Sequence, residues 1–196
     1  MAERGRPRTF ELEDALDNAI TVFWRQGYEG TSLDDLTEAM GINRPSLYAA
    51  FGNKEETFKR AVERYATVDM AYVDDAIAEP TARLVAEHYL RSNVRAITDP
   101  ERPPGCLSIQ GGLSGNPAHQ DVVAFLANSR AAGEAKFADR FRSAIAAGDL
   151  SADESPEELA KYLSTVTSGM AVQATGGSSR AELERVADRA LHSFPA

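Results

Sequence analysis

Residues 31–52, TSLDDLTEAMGINRPSLYAAFG, decide how the chain is read. Leu33, Leu36 and Met40 recur at helical spacing with Ala39 beside them, and Gly41 interrupts the run. Ile42 then leads into a second short helix carrying Leu47, Tyr48 and Phe51. Two short helices hinged at a glycine form a helix-turn-helix, a unit that sets its second helix in a DNA major groove. The spacing predicts Thr31 and Asp34 as a capping box on the first helix, with Asp standing where Glu or Gln is usual. It also predicts Asn43 as the cap of the second helix and Pro45 at its first position.

Working outward, residues 11–26 read as a helix whose stripe is Leu12, Ala15, Leu16, Ala19, Ile20, Phe23 and Trp24, ended by Gly27. Ahead of it, MAERGRPRT has no apolar period and reads as a basic arm over residues 1–9. Its Arg4, Arg6 and Arg8 suit DNA phosphates or a narrow minor groove. On the other side, Asn53 and Glu56 make a capping box. The stripe Phe58, Ala61, Val62, Tyr65, Tyr72, Val73 and Ile77 predicts one helix to about residue 78. A helix of that length exceeds what a three-helix head needs, so it is expected to link the head to a second domain. The resulting division is arm 1–9, helix-turn-helix domain 10–53 and a helical domain 54–196.

The remaining chain is expected to be helical as well. Pro80 marks a start, and Leu84, Val85, His88, Leu90, Val94 and Ile97 carry the stripe to about residue 98. DPERPPG is a connection, residues 106–113 a short helix, and Asn116 with Pro117 opens a long helix toward Ala147. Ser155, Pro156 and Glu158 open the next helix, and Ser179 with Glu182 boxes the last. Small residues Ser164, Thr167, Ser168, Gly169 and Ala171 allow close helix approach, so the last two helices are the expected dimer interface. Its candidates are Leu159, Tyr162, Leu163, Val166, Met170, Leu183, Val186, Ala187, Ala190 and Leu191, and isologous dimers are the commonest soluble oligomer.

The 196 residues contain 43% hydrophobic and 26% charged residues, an ordinary globular mixture. No leader or bilayer-length apolar run is read, so a cytoplasmic location is expected. The formal net charge of −9 opposes DNA binding globally and puts the burden on a local positive surface, for which Arg25, Arg44 and Lys54 are available. Cys106 is the single cysteine, and His88, His119 and His192 lie far apart, so neither a disulfide nor a metal site is expected. No cofactor is expected, and no acid-base or nucleophilic constellation points to an enzyme.

Over residues 6–65 the chain resembles the TetR/AcrR family of one-component bacterial transcriptional regulators. The elements that carry the likeness are GRPR, ALDNAITVFWRQGYEGTSLDDLTEAMGI and NRPSLYAAFGNKEETF, in the family's order and spacing. The resemblance implies an all-α homodimer whose three N-terminal helices read a palindromic operator, with half-sites about 34 Å apart. A larger helical domain would hold a small-molecule effector that releases DNA. No effector, operator sequence or target gene is implied.

On that reading, Thr31 meets phosphate at a helix start, and Arg44 and Ser46 begin the reading helix. Arg44 is the residue suited to a bidentate guanine contact, and Pro45 offers apolar surface to a thymine methyl. Tyr48 reaches phosphate through its hydroxyl, and Lys54 clamps another phosphate. Tyr65, Met70, Tyr72, His88, Tyr89, Asn93, Cys106, Gln110, Phe125, Phe137 and Met170 are the candidate effector-pocket residues. Two alternatives stand beside this one. Cys106, close to a short-helix start, could sense an electrophile or oxidant, or the chain could be a helical scaffold that binds no DNA.

Overall fold

The computed structural model describes residues 9–111 and 119–195, and all regular elements among them are helices. They are α1 (Thr9–Gly30), α2 (Leu33–Met40), α3 (Arg44–Phe51), α4 (Lys54–Val68) and α5 (Tyr72–Ile77). After these come α6 (Ala82–Ile97), α7 (Leu107–Gln110), α8 (Gln120–Ala146), α9 (Pro156–Thr175) and α10 (Arg180–Ser193). Helices α1–α3 form the expected helix-turn-helix bundle, and the rest forms a larger all-helical body. Arg4, Arg6, Arg8, Asn116 and Pro117 lie outside the described residues.

Helix α1 buries Ala15, Ala19, Ile20, Phe23 and Trp24, the stripe expected for it. It kinks at Gly27 and carries one further turn to Gly30. The α2–α3 turn pivots on Gly41, whose φ of 66° is a left-handed conformation that a side chain would strain. Asn43 caps α3 as expected, its Oδ1 accepting the Ser46 N–H at 2.9 Å. Because α3 begins at Arg44, Pro45 stands one residue further in than expected.

The cap of α2 is displaced by one residue. Ser32 Oγ accepts the Asp35 N–H at 3.1 Å, and the Asp35 carboxylate accepts the Ser32 N–H at 2.8 Å, so the box is Ser32–Asp35 rather than Thr31–Asp34. The extra turn after the kink explains the shift. Gly27 O is left open there, and the Thr31 hydroxyl donates to it at 2.7 Å. Thr31 is 2% exposed as a result.

The predicted continuous helix to residue 78 is interrupted. Helix α4 stops at Val68 and α5 resumes at Tyr72, with no glycine or proline between them. The Asp69 and Met70 N–H groups both donate to Tyr65 O, at 2.9 and 3.1 Å, and the Asp69 carboxylate pairs with Arg102 at 2.7 Å. The break is therefore anchored by a tertiary contact to the loop after α6. Partial burial raises the Asp69 pKa, and Arg102 opposes that shift.

Helix α6 is the axis of the body. Val85, Ala86, Leu90, Val94 and Ile97 are buried, and α5, α8, α9 and α10 pack around it. Leu84, expected on the same stripe, is exposed. The caps of α9 and α10 are as expected: Ser155 Oγ accepts the Glu158 N–H, and Ser179 with Glu182 makes the final box. Short α7 touches α1, α4, α8 and α9 at once.

Head and body share one core through Phe58 of α4. Its ring meets Phe23 at 4.9 Å and Tyr28 at 5.2 Å between centroids, both edge-on. On the body side lies Gly111, where a Cβ would sit 2.8 Å from Leu107 O and 3.0 Å from Phe58 Cζ. Only a residue without a side chain fits that approach. Phe58→Ala should therefore lower unfolding free energy by about 3–5 kcal/mol in a denaturant titration. A loss below about 1 kcal/mol would mean that this junction is not tightly packed.

Candidate nucleic-acid interface and interior cavity

Helix α3 turns Leu47 and Phe51 into the core, where both are buried. The same rotation leaves Arg44, Pro45, Ser46, Tyr48 and Ala49 on the outer face. Tyr48 is 51% exposed, the largest fraction among the big apolar side chains of the described residues. An aromatic with its hydroxyl outward on a short capped helix leaves a ring and a donor available to a partner surface. Thr31 is not on this face, because both its hydroxyl and its N–H are engaged inside the head.

Arg44 is not free. Its Nε and one terminal nitrogen both donate to Asp34 Oδ1, at 3.1 and 2.7 Å. That hydrogen bond, then the Asp34 charge, raises the Arg44 pKa. Asp34 is available for this role because Asp35 has taken the capping box. Lys54, at the start of α4, has its Nζ 4.4 Å from the centroid of the Tyr28 ring. Partial burial draws the Lys54 pKa down, while Glu29 and Asp35 pull it back. Arg60 donates to Ala50 O at 2.6 Å and so ties the end of α3 to α4. Arg64 grips Asp17 with two nitrogens, at 2.5 and 2.7 Å, and locks α4 to α1.

Inside the body lies a cavity of about 280 Å³ bounded by α4, α5, α6, α7, α8 and α9. Of the residues expected to line it, Met70, Tyr89, Asn93, Cys106 and Phe137 do so. Tyr72 stands behind Asn93, its hydroxyl accepting from Asn93 Nδ2 at 3.1 Å. Tyr65 stands behind Cys106, its hydroxyl donating to Sγ at 3.4 Å. Burial raises the pKa of all three phenols here, and that of Tyr89 is pushed up to about 12.

The other candidates lie elsewhere. His88 pairs with Glu79 at 2.8 Å on the flank of α6. Phe125 lies beneath Lys59, and Met170 is core. The expected list missed Ser108, Arg130, Glu134 and Thr167, which also line the cavity. Polar residues on otherwise amphipathic helices resemble ordinary surface positions, so periodicity gave no signal for them.

Gln110 has a different place. Its Oε1 accepts the Trp24 indole N–H at 3.2 Å, so it faces the head while Ser108 and Ile109, on the same short helix, line the cavity. The α9–α10 candidates also divide. Leu159, Leu163, Met170, Leu183, Ala187, Ala190 and Leu191 are buried within the protomer. Tyr162 and Val186 are exposed and Val166 is half-buried; Val172, not among the candidates, is also exposed, and Tyr162, Thr165, Gly169 and Val172 share one outward stripe of α9. Among the described residues no cluster of metal-ligating side chains occurs, and no helix is long and apolar enough to cross a membrane.

A family model described as bacterial regulatory proteins, tetR family, matches residues 15–61. The HTH-type transcriptional repressor ComR of Escherichia coli is 31% identical over 201 residues, covering 98% of this chain and 92% of the relative. A cysteine-substituted form of the TetR family transcriptional regulator CifR, solved with 26-base-pair double-strand operator DNA, superposes with a TM-score of 0.91. It is 43% identical, over 97% of this chain and 100% of that one. The reduced form of Escherichia coli NemR shares the fold at a TM-score of 0.79 and 19% identity, covering 95% of this chain and 97% of that one.

The α1–α7 contact can be read optically, since Trp24 is the single tryptophan. Gln110→Leu should shift its emission to shorter wavelength and cost about 1 kcal/mol of stability. An unchanged spectrum would show that the Trp24–Gln110 bond is not populated in solution.

Proposed function

Since the chain belongs to the TetR family of bacterial regulatory proteins and is a sequence-specific DNA-binding regulator, we propose that it is a homodimeric repressor released from its operator by a small molecule held in the body cavity. Residues 10–53 act as the reading head, and residues 54–196 as the effector and dimerisation domain. Two heads related by a two-fold axis engage a palindromic operator and occlude the promoter. The exposed stripe of α9, together with exposed Val186 of α10, supplies the partner surface.

The observation that carries this reading is the double contact of α7. Ser108 and Ile109 form part of the cavity wall while Gln110 of the same helix holds Trp24 of α1. A ligand that binds better to a shifted α7 therefore favours a different head position, which is the differential affinity that release requires. Arg44 leaves Asp34 for a guanine edge, Ser46 and Tyr48 reach phosphate or base edges from the same face, and Lys54 holds backbone phosphate. Family membership weighs against the scaffold reading.

A second reading is supported by Cys106. Cys106 lines the cavity and its sulfur accepts the Tyr65 hydroxyl, so an effector with an activated C=C bond can add there: the S–C bond forms as the π bond breaks, the thiol gives up its proton to solvent, and solvent returns one to the adjacent carbon. Under native conditions a small uncharged electrophile should then modify Cys106 within minutes and release DNA. Modification only after addition of denaturant would remove this reading and leave the non-covalent one.

The operator is obtained by selecting duplexes from a random library, and affinities follow by titration over a range of salt. Arg44→Ala should weaken operator binding at least tenfold and relax choice at one base position. Lys54→Ala should weaken all duplexes alike and lower the salt slope by about one unit. If the dimer prefers no duplex over random DNA, or if Arg44→Ala changes neither affinity nor preference, the reading is overturned.

A further inference from the structure

The cavity contains one group whose chemistry is incomplete. Asn93, on α6, is 4% exposed and lines the cavity wall. Its Nδ2 donates to the Tyr72 hydroxyl, but among the described residues its Oδ1 is buried without a hydrogen-bond partner. A buried amide oxygen left unpaired is costly, and two hydroxyls of the same wall are committed elsewhere. The Tyr89 hydroxyl pairs with Thr167 Oγ1 at 3.2 Å, and that hydroxyl also bonds to the backbone of its own helix at Leu163 O, 3.0 Å away.

The charges on the wall cancel. Asp74 and Glu134 face Lys136 and Arg130, two of each sign. Lys136 pairs with Asp74 and Glu134 with Lys161, both at 2.7 Å, and Arg130 donates to Ser108 O at 2.7 Å. Arg130 has only that neutral carbonyl as its partner among the described residues, so the wall keeps one cation without a counter-ion. Apart from the hydroxyls of Ser108, Ser129, Ser164, Thr167 and Ser168, the rest of the wall is mainly apolar, with the Tyr89 and Phe137 rings 4.4 Å apart between centroids. The volume of about 280 Å³ is nearly twice the ~150 Å³ of an engineered cavity that holds benzene, so it suits a body of two fused rings.

We infer that the cavity selects a molecule with an apolar two-ring body and one hydroxyl or N–H group, which donates to Asn93 Oδ1. This rests on the reading of the cavity as the effector site. Asn93 is thus the specificity-determining residue. A molecule of the same shape without a donor leaves the amide oxygen unpaired, and an acceptor-only molecule opposes oxygen to oxygen.

Three probes of one skeleton test this by calorimetric titration of the full chain: 2-naphthol, 2-methylnaphthalene and 2-acetylnaphthalene. In the wild-type protein 2-naphthol should bind at least fivefold more tightly than 2-methylnaphthalene or 2-acetylnaphthalene. Asn93→Leu should erase the preference for 2-naphthol while still binding 2-methylnaphthalene. The wild-type ranking decides the matter even if that variant fails to fold. Equal binding of the three neutral probes would overturn the role of Asn93 and leave the cavity a binding site. Tightest binding of 2-acetylnaphthalene would overturn it as well, by showing that a donor faces the cavity. If none of the three binds, both this inference and the cavity reading fall. The ranking with no release of operator by 2-naphthol would instead sustain the ligand class and count against effector-controlled release.

Discussion

The contact between Gly111 and the ring of Phe58 leaves no space for a methyl group, and the placement of α7 depends on it. With α7 seated there, the cavity wall and the base of α1 are separated by one turn of helix. Ser108 and Ile109 face one way and Gln110 the other. The buried cluster accordingly runs without a break from Ala15 in the head to Phe194 at the end of the body. Close-packed interiors transmit displacement because they cannot absorb it. A head joined to the body by a polar linker would have no comparable means of sensing what the cavity holds.

A net charge of −9 is compatible with binding a polyanion because charge acts locally at the contact. On the outer face of the head, the acids near α3 are already engaged: Asp35 in a cap, Asp34 with Arg44 and Glu56 in the cap of α4. Lys54 rests against an aromatic ring, which restrains it without neutralising it. The basic face is small but organised by the same caps that start its helices.

The helix-turn-helix was legible because its signals are local. A glycine turn, an asparagine cap and two apolar stripes each act within four residues, and Leu36, Leu47 and Phe51 are buried where periodicity placed them. The errors arose where distant residues decide. Nothing near residue 69 announces a break, since it is anchored by Arg102 more than thirty residues on. The cap is the exception, a local error: a kink at Gly27, four residues before Thr31, opened a carbonyl that took the Thr31 hydroxyl and left the cap to Ser32. The cavity was partly legible. Periodicity marks a side chain such as Phe137 as inward, but it does not say whether the space beyond is filled. Met170 is inward and surrounded by core, and Gln110 is polar and occupied by an indole.

The Arg44–Asp34 pair bears on how a regulator searches a chromosome. A protein sliding on arbitrary duplex is held by its cations, and each one it exposes adds to its time on the wrong sites. With its guanidinium already shared with a carboxylate of the same head, Arg44 gives a random phosphate little that Asp34 does not already provide. A base edge with two aligned acceptors is a stronger competitor than either. Under the proposed reading, Asp34 weakens the grip on decoy sequence more than on the operator and so widens the ratio that determines occupancy in a crowded genome.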